Sequence, residues 1–205
     1  MVAIIDYDAG NIKSVEKAFD YIGAGTVLTR DPSEIFRCDH VVLPGVGNFG
    51  DAMNRIREYG LEETIKEIVK KDVPFLGICL GLQLLFEHSD ESNESCGLGI
   101  LRGDIKEIPQ KNSAGESFKI PQIGWNSLRL NGEGRLFKNL PDDPYVYFVH
   151  SYYLHAKDRD IVKATTDYSV EIDASVESGN VFACQFHPEK SADVGMEILK
   201  NFLKV

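Results

Sequence analysis

The chain has 205 residues, 43% of them hydrophobic and 26% charged, with a formal net charge of −10. That length suits one well-cored domain spanning 1–205, and the ordinary balance excludes a disordered or fibrous chain. The acidic excess, unopposed by any basic cluster, excludes general nucleic-acid binding, and no apolar run approaches the ~20 residues that cross a membrane.

Residues 2–5 are an apolar run that predicts a strand. No positive charge precedes it and Asp6 and Asp8 cut it short, so it does not read as a signal peptide. A turn-rich loop over 6–11 follows, and then Ile12, Val15, Phe19 and Ile22 recur at helical spacing up to Gly23. Residues 27–29 predict a second strand. Asp31-Pro32-Ser33-Glu34 opens a short helix, with a capping acid and a proline at the first helical position. Residues 41–43 predict a third strand that runs into Pro44-Gly45-Val46-Gly47, and 48–71 reads as helix in two pieces broken around Gly60. Phe75-Leu76-Gly77-Ile78 is apolar throughout, which suits a fourth strand buried on both faces. Strand and helix therefore alternate four times. This predicts an α/β fold with a mainly parallel open sheet flanked by helices.

Beyond the fourth strand the pattern changes. Residues 89–95 and 113–117 are polar loops. Short β-like pieces at 101–108, 120–130, 145–150, 161–166, 170–176 and 181–186 predict an added antiparallel portion that extends the sheet and forms a small extra layer. An amphipathic helix over 192–203 closes the chain, with Val194, Ile198, Leu199 and Phe202 on one side.

Cys38, Cys79, Cys96 and Cys184 show no Cys-x-x-Cys spacing for zinc or redox chemistry, and with no export signal they are expected as reduced thiols in a cytoplasmic protein. Cys79 differs from the others in following a buried strand at once and preceding Leu80, Leu84 and Leu85 at helical spacing. In such a turn the free N–H groups and positive end of the helix favour thiolate over thiol. Gly77 and Gly81 leave room for a substrate. This is the nucleophile-elbow pattern with cysteine in place of serine. Taken alone, Cys79 is explained as well by a small apolar residue closing a buried strand.

A cysteine nucleophile needs a base, and the base needs an orienting partner. Among His40, His88, His150, His155 and His187, the last has the best setting. Alternation along 181–186 puts Phe182, Cys184 and Phe186 on one face and leaves His187 pointing with Ala183 and Gln185. Pro188 fixes the backbone, and Glu189 can return a carboxylate to Nδ1 so that Nε2 faces the sulfur. An oxyanion hole is also needed. The Leu80 backbone N–H supplies one donor, and the Gly45-Val46-Gly47 loop can supply another. Ligands of open α/β sheets bind beyond the carboxyl ends of the strands, where all these segments fall.

Gly77-Ile78-Cys79-Leu80-Gly81-Leu82-Gln83, Pro44-Gly45-Val46-Gly47 and His187-Pro188-Glu189 together resemble the class I (triad) glutamine amidotransferases over nearly the whole chain. Within that family, the segment 6–11, Gly124-Trp125-Asn126 and His150-Ser151-Tyr152-Tyr153 are similar to the glutaminase subunits of imidazole glycerol phosphate synthases of histidine biosynthesis. The resemblance implies a single amidotransferase domain that hydrolyses L-glutamine through a γ-glutamyl thioester, with Cys79 as nucleophile, His187 as acid/base and Glu189 as orienter. It places Gln83, Ser151 and Tyr152 on the amino-acid end of the substrate. Glu91 is implied for the ammonium, with Glu87 and Glu94 as alternatives. Asn11, Trp125, Asn126, Tyr147 and Lys190 fall at a partner interface. No metal or organic cofactor is implied.

Free ammonia is protonated in bulk water, so an acceptor must sit close by, and this chain has no room for a synthase domain. The resemblance implies a heterodimer with a cyclase subunit, a (β/α)8 barrel. A Val46 carbonyl occupying the oxyanion hole until the partner is liganded would keep the chain nearly inactive alone. The other readings are a glutaminase for a pyridoxal phosphate, anthranilate or purine synthase, a free-standing γ-glutamyl cysteine hydrolase, and a silent scaffold that retains the fold.

Overall fold

Strand β1 (Val2–Ile5) is buried at every position because its side chains serve two cores: Ala3 and Ile5 face one, Val2 and Ile4 the other. The computed structural model describes residues 1–92, 94–132 and 134–205, and the same alternation recurs through the sheet. In chain order come α1 (Ile12–Tyr21), β2 (Thr26–Thr29), α2 (Pro32–Ile35), β3 (His40–Leu43), α3 (Phe49–Glu58), α4 (Leu61–Lys70), β4 (Phe75–Ile78) and α5 (Leu80–Leu84). These match the predicted alternation. Asp31 caps α2 as expected, its carboxylate accepting from the Ser33 N–H at 2.8 Å.

The second half supplies β5 (His88–Ser89), β6 (Gly103–Glu107), β7 (Gln122–Ser127), β8 (Arg129–Leu130), β9 (Tyr145–His150), β10 (Tyr152–Ala156), β11 (Val162–Tyr168), β12 (Val170–Ser178), β13 (Val181–Cys184) and α6 (Ala192–Phe202). One 11-stranded sheet runs β2-β1-β3-β4-β13-β12-β10-β6-β5, with β11 and β8 branching from β12. From β2 to β13 the pairing is parallel, and from β13 to β6 it is antiparallel. The expected extra layer is the two-stranded sheet β7–β9. Residues 152–156 were not expected as a strand. They carry no buried apolar run, and β10 exists because five residues pair with β6. Asn93, inside the expected 89–95 loop, lies outside the described residues.

Helices α3 and α4 cover one face of the sheet with Phe49, Met53, Ile56, Leu61, Ile65 and Ile68. The other face is closed by α1 and α6, where Phe19 and Phe182 meet Phe202 edge-on at centroid distances of 6.4 and 5.9 Å. The order β4 next to β13 fixes the site. Cys184 registers with Ile78, so the residues that follow these two strands emerge side by side at one end of the sheet.

Candidate active site

The turn after β4 is strained on Cys79 itself, at φ 54 and ψ −107. A non-glycine residue in such a region costs roughly 1–3 kcal/mol, so the surroundings must impose it. They do so through backbone bonds: the Cys79 N–H donates to the Cys184 carbonyl at 2.8 Å, and the Leu82 N–H donates to the Cys79 carbonyl at 3.0 Å. The neighbouring glycines are needed for space. A Cβ on Gly77 would lie 2.7 Å from the Gly81 carbonyl oxygen, and one on Gly81 would run into the Leu43 carbonyl.

His187 lies beyond the end of β13 and is 2% exposed. Its Nδ1 meets Glu189 Oε1 at 2.8 Å; because a carboxylate accepts, Nδ1 carries the proton and Nε2 is left for the sulfur side. The backbone is held from β9, with the His187 N–H donating to the Tyr147 carbonyl at 2.9 Å. Burial by itself lowers the His187 pKa, but hydrogen bonds and charge from Cys79 and Glu189 outweigh it and push the value up to about 10. Asn11, expected at a partner interface, also donates its side-chain amide to the same Glu189 Oε1 at 2.8 Å. Glu189 Oε2 is buried and has no hydrogen-bond partner among the described residues.

On the opposite side of Cys79, the Leu80 N–H donates to the Gly45 carbonyl at 3.3 Å. The carbonyl that occupies this donor is therefore that of Gly45, one peptide earlier than the Val46 carbonyl expected from the sequence. The two glycines of the loop serve different purposes. Gly45 has no space for a Cβ against the Tyr7 hydroxyl, which itself donates to the Pro44 carbonyl at 2.7 Å, whereas Gly47 adopts φ 111.

One cavity of about 290 Å³ is lined by Val46, Gly47, Cys79, Leu80, Gln83, Glu91, Ser151, Tyr152, His187 and Lys190, among others. Gln83 uses both amide N–H groups, donating to the Tyr152 carbonyl at 3.1 Å and to Gln185 Oε1 at 3.0 Å, which leaves its own oxygen as an acceptor. Of the three candidate acids only Glu91 lines the cavity, with one oxygen taken by the Phe49 N–H at 2.7 Å. Glu87 is tied to Lys157 at 2.8 Å and Glu94 is exposed elsewhere.

Trp125 is 52% exposed and meets Tyr147 edge-on at 5.9 Å. Asn126 spends its amide on the Asp167 carbonyl at 3.0 Å, tying β7 toward β11. Lys190 sits exposed at the cavity wall. Alternation along 181–186 puts Gln185 on the face of His187 but by itself gives it no role. Gln122, which meets His150 Nε2 at 2.9 Å, had no local signal.

The family model for glutamine amidotransferase class-I matches residues 3–205. The chain is 47% identical to "Imidazole glycerol phosphate synthase subunit HisH" of Moorella thermoacetica over 201 residues, covering 98% of this chain and 93% of the relative. It is 50% identical to the subunit of the same name from Bacillus cereus over 202 residues, with the same 98% and 93% coverage. Among solved structures, a crystal structure described as a glutamine amidotransferase superposes with a TM-score of 0.73 at 20% identity, covering 100% of this chain and 98% of that one. PurLQS from Thermotoga maritima gives 0.72 at 21% identity, covering 99% and 97%. At those identities the structural matches speak for the fold.

Proposed function

The chain belongs to the class I glutamine amidotransferase family, and on that premise we propose that it is the glutaminase subunit of an imidazole glycerol phosphate synthase. It hydrolyses L-glutamine to glutamate and ammonia and passes the ammonia to a cyclase subunit, expected to be a (β/α)8 barrel. The observation that carries the reading is that Cys79 and His187 line one cavity with Gln83, Glu91, Ser151 and Tyr152, while Glu189 holds His187 Nδ1 from behind at 2.8 Å.

In this reading the Cys79 thiolate attacks the γ-carboxamide carbon of glutamine. The tetrahedral intermediate collapses with cleavage of the C–N bond, the imidazolium of His187 gives its proton to the departing nitrogen, and ammonia leaves a thioester behind. Water then attacks the thioester, His187 Nε2 takes its proton, and the C–S bond breaks to return the thiolate and glutamate. Gln83 Oε1 and Glu91 are both acceptors, which suits the substrate ammonium.

The pairing of the Leu80 N–H with the Gly45 carbonyl supports a chain that is weakly active alone. Rotating the Gly45–Val46 peptide would free Leu80 and present the Val46 N–H in place of the carbonyl, assembling two donors. The exposed Ile123, Trp125 and Tyr145 of the small sheet, with Val46 and Lys190 at the cavity wall, are where the partner docks in this reading.

The test is glutamate release from L-glutamine by the purified chain, alone and with a cyclase subunit carrying its nucleotide ligand. Strong dependence on the liganded partner, lost in Cys79→Ala, is the expected outcome. Full activity without a partner would replace this reading by a free-standing hydrolase.

A further inference from the structure

We propose that Gln185 is a catalytic residue of this site, its side-chain amide N–H serving as a fixed hydrogen-bond donor to the Cys79 sulfur. Gln185 Nε2 lies 3.7 Å from Sγ, within reach of an N–H to sulfur bond, and the side chain is fully buried on the face of β13 that leads to His187. The inference rests on the glutaminase reading only for what the sulfur does, not for the contact itself.

The direction of the amide follows from one peptide carbonyl. A backbone carbonyl can only accept, and the Tyr152 oxygen receives both His150 Nδ1 at 2.8 Å and Gln83 Nε2 at 3.1 Å. The nitrogen end of Gln83 is thereby set. Its second N–H reaches the side chain of Gln185 at 3.0 Å, so that end of Gln185 must be the oxygen. The nitrogen end of Gln185 then faces the sulfur. Turned the other way, Gln185 would put two N–H groups against each other and aim an amide oxygen at the sulfur lone pairs, a costly arrangement for a fully buried side chain.

A donor in this position favours the charged sulfur over the neutral one. It acts at the start, on the thiolate that attacks, and at the end, when the C–S bond of the thioester breaks and its electron pair returns to sulfur while His187 holds the proton taken from water. The titratable groups around Cys79 are His187 with Glu189 behind it, buried Tyr7 and Cys184, and His150, Tyr152, Glu91 and Lys190 around the cavity.

The experiment uses the full chain in a Cys96→Ser background, because Cys96 is the exposed cysteine. The alkylation rate of Cys79 by iodoacetamide is followed against pH for Gln185, Gln185→Met and Gln185→Glu, beside kcat and KM for glutamine with the cyclase subunit. Loss of one hydrogen bond to a charged group predicts an alkylation midpoint higher by about one pH unit or more, and kcat lower by about tenfold or more with KM within about threefold. An unmoved midpoint in both variants overturns the proposal, whatever happens to kcat, because a packing role alone would leave the ionisation in place. In the unsubstituted chain, the side-chain amide proton of ¹⁵N-labelled Gln185 should move downfield as Cys79 ionises. A resonance indifferent to that titration overturns the proposal without any variant at position 185. If the chain hydrolyses no glutamine with any partner while the midpoint still moves, the glutaminase reading fails and the donor stands.

Discussion

Two buried histidines beside the cavity are displaced in opposite directions from their ordinary pKa. His150 is lowered to about 4, first by burial and then by the charge of His187, against the opposing pull of the Tyr152 carbonyl. Its Nδ1–H donates to that carbonyl, while Nε2 faces Gln122 Oε1 at 2.9 Å, so a neutral His150 requires the Gln122 amide turned end for end to offer it an N–H. His187 is raised, toward 10. The consequences for stability have opposite signs. A native His150 that stays neutral, facing an unfolded one that protonates near 6.5, stabilises the fold at neutral pH and loses that contribution as pH falls from about 6.5 to about 4. The raised His187 contributes below about 6.5 and loses its contribution as pH climbs toward 10. Urea unfolding should therefore show an acid limb worth on the order of 3 kcal/mol from His150. His150→Gln should flatten it, and an unchanged slope between pH 6.5 and 4 would remove His150 as its source.

Between the residue and the whole molecule, the proposed switch lies in the short loop after β3. Its occupied state is held by local contacts: Tyr7 on the Pro44 carbonyl, Leu80 on the Gly45 carbonyl, and Gly10, on which a Cβ would come within 2.7 Å of Val46 Cγ2. Val46 is β-branched, which narrows the backbone angles open to a peptide rotation. Replacing Val46 by glycine removes both the branching and the Gly10 contact, so Val46→Gly should raise glutamate release by the free chain several-fold. A basal rate equal to that of the unsubstituted chain would count against peptide rotation as the switch. The Pro-Gly-Val-Gly sequence announces a loop of this kind, but not which carbonyl meets which N–H. That depends on how β3 and β4 are registered, Leu43 against Gly77, and the register belongs to the sheet.

At the scale of the whole molecule, strand β9 connects the outer surface to the site. Val146 and Phe148 point into the core, while Tyr145 and Tyr147 point outward beside Trp125, and the same strand takes the His187 N–H on the Tyr147 carbonyl. An occupant of the outer face would therefore lie against the strand whose backbone holds the histidine. Trp125 is 52% exposed, so its removal should leave the free chain within about 0.5 kcal/mol in urea unfolding. For a central aromatic anchor, Trp125→Ala should weaken binding of the cyclase subunit by about 2 kcal/mol, or thirtyfold, in titration calorimetry. Undiminished affinity would move the interface away from this sheet.

The amino-acid sequence by itself determined the α/β alternation, the elbow at Cys79, the His187-Pro188-Glu189 unit and the closing helix. Each of these is a local pattern, in which periodicity, a cap or a turn residue acts within a few positions of where it is read. Tertiary structure alone decided the rest. Asn11 reaches Glu189 across 178 residues and Gln185 reaches Cys79 across 106, so neither contact has a local signature. Glu91, rather than Glu87 or Glu94, lines the cavity because of the path of a loop, and β10 is a strand because β6 is there to pair with it. Partnership of this kind depends on which strands lie side by side and in what register, and that is set by burial of the whole chain, with β4 beside β13 as the contact on which the site depends.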